Sequence, residues 1–223
     1  MTPPWLAQLV AVLPDITVEQ LTRWPPPEQG GRDSAVLVLF GEGPAGPDVL
    51  LIERAHTMRS HAGQPAFPGG AQDEADDGPV GAALREAAEE VGLDPASVDV
   101  LGVLPGLWLP PSGFVVHPVV ALWREPHEVR VVDAAEVAAV ARVPLAELAD
   151  PANRLRVTHP SGWVGPAFTV ADLLVWGFTA GLLDRLLHLA GWELPWDRDR
   201  VRELDEQTVT LALRTTTSKE SAP

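Results

Sequence analysis

A short helix with one apolar side and one acidic side is the feature that most constrains the fold of this chain. Small apolar residues recur at helical spacing, namely Ala83, Leu84, Ala87, Ala88 and Val91. Pro79 is well suited to the first helical position when Gly78 caps it, and Gly92 supplies the left-handed residue that ends a helix. Because the apolar side must be covered, the pattern predicts a helix from about Pro79 to Val91 that packs against a β-sheet.

Apolar runs rich in β-branched residues predict the strands of that sheet. Ala35–Phe40 and Val49–Arg54 are separated by turn residues, so we expect two paired strands. The other predicted elements are strands over 98–104, 114–123 and 137–143, and helices over 4–13, 145–149 and 170–189.

The loop between the first two strands contains a dinucleotide-binding pattern that we do not interpret as such a site. Residues 41–46, Gly-Glu-Gly-Pro-Ala-Gly, fit G-x-G-x-x-G directly after a strand. That pattern requires a following helix whose N-terminus faces a pyrophosphate. Here Pro47 and Asp48 lead into another strand, so the sequence predicts a hairpin loop.

Three glutamates, Glu86, Glu89 and Glu90, lie near the end of the predicted helix. Spacings of three and four residues place side chains on one face, where like charges repel by about 0.2–0.5 kcal/mol per pair. Arg85 can pair with Glu86 and Glu89, so one interpretation is an ordinary solvated face. The other is a site for Mg²⁺ or Mn²⁺, hard cations that bind carboxylates and act together with substrate phosphates.

The loop before the helix favours the cation site. Phe67-Pro68-Gly69-Gly70 joins a rigid proline to two glycines, which let the backbone approach a ligand closely and point a carbonyl at a metal. Together with the segment 85–93, Arg-Glu-Ala-Ala-Glu-Glu-Val-Gly-Leu, it resembles the Nudix box, G-x5-E-x7-R-E-U-x-E-E-x-G-U, where U is bulky and aliphatic. The chain departs from this pattern in having fourteen positions instead of thirteen between Gly70 and Arg85, Asp76 or Asp77 in place of glutamate, and Ala87 in place of U.

The resemblance implies a Nudix α/β/α sandwich, an α/β fold with a mixed β-sheet between helices and the acidic helix at one edge of the substrate cleft. It also implies a hydrolase that splits a diphosphate with the help of Mg²⁺ or Mn²⁺. The implied metal ligands are Glu86, Glu89, Glu90 and the Gly70 carbonyl, with Arg85 orienting the carboxylates. Glu89 and Glu136 are alternatives for the general base, and for Glu136 the role of an ordinary surface loop residue is an equal alternative.

A second resemblance concerns the substrate. Residues 59–70, Arg-Ser-His-Ala-Gly-Gln-Pro-Ala-Phe-Pro-Gly-Gly, are similar to the motif R-x3-G-x3-F-P-G-G of coenzyme A pyrophosphatases, although Ile52 and Arg54 replace the threonines that precede it there. The resemblance implies cleavage of coenzyme A or its derivatives to 4′-phosphopantetheine and adenosine 3′,5′-bisphosphate. The implied substrate-binding residues are Arg54, Arg59, Gly69 and Gly70. The two arginines could instead pair with local acids such as Glu53 or Asp73.

Two other functions stay open at this point. The same box could serve a pyrophosphatase for ADP-ribose, dinucleotides or nucleoside triphosphates. It could also belong to a non-catalytic module that senses a nucleotide, but such a module would be expected to lose its metal-binding glutamates, and all three are present.

Composition limits the partners. A formal net charge of -15 disfavours binding to nucleic acid or anionic lipid, and the chain has no cysteine and no apolar run of membrane-spanning length. We therefore expect a cytoplasmic protein with a small nucleotide substrate, no nucleic acid and no membrane, and the sequence leaves a homodimer open. We expect three segments: an N-terminal helix and Pro/Gly-rich lead-in over 1–33, a Nudix hydrolase domain over 34–190, and an extension with a polar tail over 191–223.

Overall fold

A mixed β-sheet lies between two layers of helices in the computed structural model, which describes residues 2–23, 25–27, 30–58, 61–110, 112–205 and 208. The helices are α1 (Ala7–Val12), α2 (Val18–Leu21), α3 (Gly78–Val91), α4 (Leu145–Ala149) and α5 (Gly177–Leu189). The strands are β1 (Arg32–Gly43), β2 (Gly46–Arg54), β3 (Pro65–Ala66), β4 (Gly69–Ala71), β5 (Val98–Val103), β6 (Leu107–Leu109), β7 (Phe114–Trp123), β8 (Val137–Pro144), β9 (Arg154–Thr158), β10 (Val164–Val170), β11 (Leu173–Val175) and β12 (Val201–Glu203). Short 3-10 turns cover Pro4–Leu6, Leu13–Asp15, Pro95–Ser97 and Pro151–Asn153.

The main sheet opens at one end, next to α3. Strand β1 runs parallel to β7 and forms an antiparallel hairpin with β2, from the pair Phe40–Val49 to the pair Gly43–Gly46. Towards the other end β1 pairs with β4 and β2 pairs with β3, while β8 pairs with β2 from Asp48 to Arg54, so β1 and β2 have different neighbours there. The glycines of β4 are therefore held at the point where the sheet divides.

The strands are apolar on both faces because helices cover both. On one face, α3 packs through Ala82, Ala83, Ala87 and Val91 onto a layer that includes Leu37, Leu39, Leu50 and Ile52. On the other, α5 and α1 pack onto a layer that includes Val38, Phe40, Val49 and Leu51. Alternate residues of each strand point to opposite faces. This confirms the predicted α/β/α sandwich with a mixed sheet.

Most of the predicted elements of the sandwich are present, with small changes of boundary. Strand β7 and helix α4 have the predicted bounds, and helix α3 begins one residue earlier than predicted, at Gly78. Gly92 ends α3 with φ of 71°, in the left-handed region where a side chain would be strained. The G-x-G-x-x-G stretch forms the β1–β2 hairpin, as predicted.

The predicted helix over 170–189 is wrong in its first part. Ala171 and Asp172 have φ of 49° and 60°, and two successive residues with positive φ make a hairpin turn that reverses the chain from β10 into β11. The helix starts only at Gly177. Apolar content made the whole stretch resemble one buried helix, but Val170, Leu173 and Val175 pair as strands.

A second sheet, in the order β11-β10-β9-β12, packs against α5 and was not predicted. The N-terminal segment joins the main core, since Leu6 and Leu9 are fully buried within it. The polar tail predicted at the end of the 191–223 extension lies outside the described residues. None of the helices in the described parts of the chain is long and apolar enough to span a membrane.

Candidate functional site

The two glycines of β4 bring the backbone against the acidic edge of α3. Gly69 has φ of 153°, and a Cβ atom there would overlap the Ala35 carbonyl oxygen and the Val36 Cα. A Cβ atom on Gly70 would overlap the carboxylate of Glu86. Gly69 therefore requires glycine, because the strand approaches the β1 backbone there, whereas a side chain at Gly70 would displace the Glu86 carboxylate.

Glu90 is the most buried acid of this edge, with 2% of its surface exposed. Its Oε2 accepts a hydrogen bond from the Gly69 N–H at 3.0 Å, whereas its Oε1 is buried without a hydrogen-bond partner in the described structure. Burial raises the pKa of Glu90 to about 8; the Gly69 hydrogen bond and the charge of Arg54 oppose this shift, and Glu86 and Glu136 add to it. A buried carboxylate with an unsatisfied oxygen is a costly arrangement that a bound cation would relieve.

Glu86 lies one turn before Glu90 with 15% of its side chain exposed. Its Oε1 accepts a hydrogen bond from Arg85 Nη1 at 3.1 Å. Burial raises the pKa of Glu86, Arg85 opposes the shift, and Glu89 and Glu136 increase it. Because Glu136 acts on both Glu86 and Glu90, these three carboxylates belong to one electrostatic cluster.

Arg85 connects the helix to the acidic loop before it. Its Nε and Nη2 donate to the two carboxylate oxygens of Asp76, each at 2.9 Å, and Nη2 also donates to the Ala71 carbonyl at 3.1 Å. Its Nη1 donates to Glu89 Oε2 at 3.1 Å. The Arg85 hydrogen bond holds the pKa of Asp76 below its usual value, and the same bond raises the pKa of Arg85.

This contact resolves the ambiguity left by the longer acidic loop. Five residues separate Asp76 from Gly70, as in the G-x5-E part of the box, and the Asp76 carboxylate binds Arg85. Asp77 is instead the residue immediately before α3. The additional residue thus lies between Asp76 and Arg85, where Gly78 adopts φ of 63° and turns the chain into the helix. The distance from Gly70 to Asp76 in the sequence was the signal that could have identified Asp76.

Glu136 enters the cluster from the loop between β7 and β8. Its carbonyl accepts a hydrogen bond from the Ala55 N–H at 2.7 Å, which fixes the loop to the end of β2. In the described structure no hydrogen bond or ion pair occupies its carboxylate, unlike that of Glu89.

Arg54, the last residue of β2, is close enough to Glu90 to lower the pKa of that carboxyl group. Its Nε is buried without a partner. The local acids that could have paired with it are engaged elsewhere, since Glu53 lies 3.0 Å from His56 and Asp73 lies 3.8 Å from Arg85. Arg59, the other predicted substrate contact, lies outside the described residues.

The structure thus places Glu86 against Gly70 and Glu90 against Gly69, with the charge of Glu136 acting on both acids, and leaves Glu89 further out with 60% of its side chain exposed. Within the described ranges, no three acidic or histidine side chains form a ready-made coordination sphere. Arg85 and the Gly69 N–H hold the carboxylate oxygens instead. The donor set of carboxylates and a carbonyl, together with the unpartnered Glu90 oxygen, fits a hard divalent cation.

Comparison with known proteins defines the family. The protein-family model described as NUDIX domain matches residues 31–161 of this chain. The chain is 43% identical over 165 residues to the uncharacterized Nudix hydrolase NudL of Cronobacter sakazakii, covering 70% of this chain and 81% of that protein. It is 37% identical over 195 residues to NudL of Salmonella heidelberg, covering 82% and 91%.

Among solved structures, the Nudix hydrolase RenU of M. smegmatis is similar, with 24% identity, a TM-score of 0.49, and coverage of 76% of this chain and 92% of that one. The family match and the NudL relatives show that the chain is a hydrolase acting on phosphorus-containing anhydrides. It belongs to the Nudix family.

Proposed function

We propose that this Nudix hydrolase, through residues 34–190, splits the diphosphate of coenzyme A or its derivatives into 4′-phosphopantetheine and adenosine 3′,5′-bisphosphate. The main observation in favour of a metal-assisted diphosphate site concerns Glu90. Its side chain is buried, one of its oxygens accepts a hydrogen bond from the Gly69 N–H, and the other oxygen has no hydrogen-bond partner in the described structure. The choice of coenzyme A rests on the motif over residues 59–70.

Mg²⁺ or Mn²⁺ would be held by Glu86, Glu90, Glu89 and the Gly70 carbonyl. When bound, the ion neutralises diphosphate oxygens and lowers the pKa of an attacking water. Arg85 would fix the orientation of Glu86 and Glu89, to which it donates hydrogen bonds at 3.1 Å. Because Gly70 has no side chain, the diphosphate could bind close to α3, in the space next to the Glu86 carboxylate that a Cβ atom at position 70 would occupy.

Glu136 is the better candidate for the general base. A base must be free to accept a proton from the attacking water within hydrogen-bond distance. One oxygen of Glu89 already accepts from Arg85, whereas the Glu136 carboxylate has no such bond in the described structure and acts electrostatically on both Glu86 and Glu90. Glu136 would take the proton of the water and release it to solvent after the diphosphate is split.

Arg54 and Arg59 would divide the recognition of substrate charge. The proximity of Arg54 to Glu90 favours a contact with the diphosphate, because that carboxylate lies where the reacting phosphates would bind. Arg59 opens the motif over 59–70 and is our candidate for the 3′-phosphate of coenzyme A.

A substrate panel tests the proposal. The purified protein with Mg²⁺ or Mn²⁺ should convert coenzyme A to the two named products, identified by mass spectrometry, faster than ADP-ribose, diadenosine polyphosphates or nucleoside triphosphates. Arg59→Glu should raise the KM for coenzyme A more than the KM for dephospho-coenzyme A, which lacks the 3′-phosphate. Equal effects on both substrates would remove Arg59 from this role, and preferred cleavage of ADP-ribose would replace the proposed substrate.

A further inference from the structure

The loop between β7 and β8 is fastened to the end of α3. The Arg130 N–H donates to the Val91 carbonyl at 3.1 Å, and the Val132 N–H donates to the Glu90 carbonyl at 3.0 Å. These carbonyls belong to the last turn of the helix, which has no partners for them within the helix itself. The loop therefore runs along the helix end and reaches the acidic edge at Glu136.

A tight turn at Asp133 sets the direction in which Glu136 leaves the loop. The Asp133 Oδ1 accepts a hydrogen bond from the Ala135 N–H at 2.8 Å. The Asp133 carbonyl accepts from the Glu136 N–H at 3.2 Å and from the Val137 N–H at 2.9 Å. Since the Glu136 carbonyl is also bonded to Ala55, both backbone polar groups of Glu136 have fixed partners.

An irregularity in the sheet lies directly after this turn. Strand β8 pairs Val137 with Arg54 and Ala139 with Glu53, so Ala138 is skipped by the ladder. Such bulges re-aim the side chains next to them and are common beside active sites. Val137 is buried at 1% exposure, which anchors the start of β8 and leaves Glu136 on the side of the acidic cluster.

Three other turns within the described residues have this bond between an aspartate Oδ1 and the N–H two residues later; in one of them the Asp199 N–H donates to the Asp197 Oδ1 at 2.9 Å, and the other two contain proline. The Asp94 Oδ1 accepts from the Ala96 N–H at 2.9 Å, and the Asp150 Oδ1 accepts from the Ala152 N–H at 2.8 Å. In both of these turns a proline follows the aspartate and fixes φ, whereas Ala134 follows Asp133. The turn before Glu136 therefore depends more on the aspartate side chain than these two turns with proline do.

We propose that Asp133 is a positioning residue that holds the Glu136 carboxylate at the reaction centre through this turn. The inference rests on the proposed function, in which Glu136 is the general base. Displacing a reacting group by about 1 Å can cost roughly 10²-fold in rate. Asp133 makes no contribution of its own to the chemistry, so its effect must pass through Glu136.

Substitutions of Asp133 and of the remote Asp150 give the test. Asp133→Ala should lower kcat by about 10- to 100-fold and change KM by less than about two-fold, because substrate binding does not involve the turn. Asp133→Asn keeps an oxygen acceptor of the same shape and should restore most of kcat. Asp150→Ala removes the matching bond of the remote turn and should leave kcat unchanged. Thermal melting of all three variants checks that they are folded.

A double-mutant cycle and a binding measurement complete the test. In a Glu136→Gln background, Asp133→Ala should have no further effect on kcat, because the residue through which it acts is already removed. Mn²⁺ affinity, measured by electron paramagnetic resonance, should be the same in Asp133→Ala and the wild type. Equal losses of kcat in Asp133→Ala and Asp150→Ala, or an undiminished loss in the Glu136→Gln background, would overturn the inference. Full activity of Glu136→Gln itself would overturn the assignment of the base, and absence of diphosphate hydrolysis by the wild type would overturn the proposed function.

Discussion

Two arginine-centred networks in this molecule differ in their balance of charge. Arg154 has no exposed side-chain surface and bonds to Asp184 on α5 and to Glu193, the latter at 3.3 Å. Arg198 also pairs with Glu193, at 3.2 Å, so two cations meet two anions. Arg85, with 28% of its side chain exposed, instead lies within 4 Å of the carboxylates of Asp73, Asp76, Glu86 and Glu89.

The buried atoms left without hydrogen bonds show the same difference. In the Arg154 network this atom is the Arg154 Nε, and the guanidinium carbon lies 4.5 Å from the ring centroid of Trp196, where the aromatic face attracts a cation. In the acidic edge one such atom is the Glu90 Oε1, a carboxyl oxygen near the further carboxylates of Glu86 and Glu136, and another is the Nε of the neighbouring Arg54. The comparison separates a network complete in itself, which stabilises the fold, from one that requires an additional cation and so indicates function.

The largest expected effect comes from Glu90. Glu90→Gln keeps the hydrogen bond with the Gly69 N–H but removes the charge, and we expect kcat/KM to fall by roughly 10³-fold, since charge neutralisation by a metal is worth several kcal/mol. Urea denaturation of the chelator-treated variant should show stability equal to or higher than that of the chelator-treated wild type, because the variant neither buries a charge nor takes up a proton on folding. A folded variant with near-normal hydrolysis would contradict the role of Glu90.

The opposite pattern is expected in the other network. Asp184→Ala leaves the buried Arg154 with only Glu193, and removing one partner of a buried ion pair costs about 3–5 kcal/mol. We expect this loss in the free energy of unfolding from urea titration, with kcat/KM per folded molecule unchanged. If activity fell with stability intact, the distinction between the two networks would be wrong.

The two networks were not equally visible in the sequence. The charges at residues 86, 89 and 90 are close together along the chain and follow a helical period, so a local pattern predicted the acidic edge. Arg154 lies on β9, a strand that was not predicted. It bonds to Asp184 on α5 and to Glu193 after that helix, which are 30 and 39 positions further along the chain. Contacts of that kind depend on tertiary packing, which leaves no short-range period.

The site itself was predictable only in its chemistry. The residue types and spacing predicted the carboxylates and the glycines, but not that Glu90 would be buried against the Gly69 N–H, because this contact depends on how β4 pairs with β1. Similarly, the second sheet escaped prediction because its short strands resemble loops or helix in composition. Sequence periodicity predicted the helix and sheet layers of the sandwich, whereas the burial of each acidic side chain depends on tertiary packing.

The pH dependence of the free energy of unfolding should also distinguish the two networks. The pKa of Glu90 is about 8 in the folded protein against 4.5 as the reference, so the folded state holds a proton that the unfolded state releases between these values. In the metal-free protein, this contribution to stability is complete below about pH 4.5 and is lost as pH rises towards 8, on the order of 5 kcal/mol in total.

Melting curves from pH 5 to 8 in chelator, compared between the wild type and Glu90→Gln, isolate this contribution. The variant should lose less stability than the wild type over that range. Parallel curves would mean that Glu90 is already ionised without a metal. Adding Mn²⁺ at pH 8 should raise the melting temperature of the wild type more than that of the variant, by mass action on the folded state.

The smallest expected effect concerns how Arg85 is shared among its acids. Asp76 holds the Nε and Nη2 of Arg85, which limits its contact with Glu86 to a single bond from Nη1 at 3.1 Å. In Asp76→Asn the guanidinium is held less firmly and can pair more closely with Glu86, in competition with a metal. We expect Mn²⁺ affinity to fall by about ten-fold, as is usual when the partner of a ligand is changed, with the fold preserved. Glu193→Gln is the matched change in the balanced network, where no metal competes, and it should leave Mn²⁺ affinity unaltered; equal losses in both variants would mean that Asp76 acts only on overall stability.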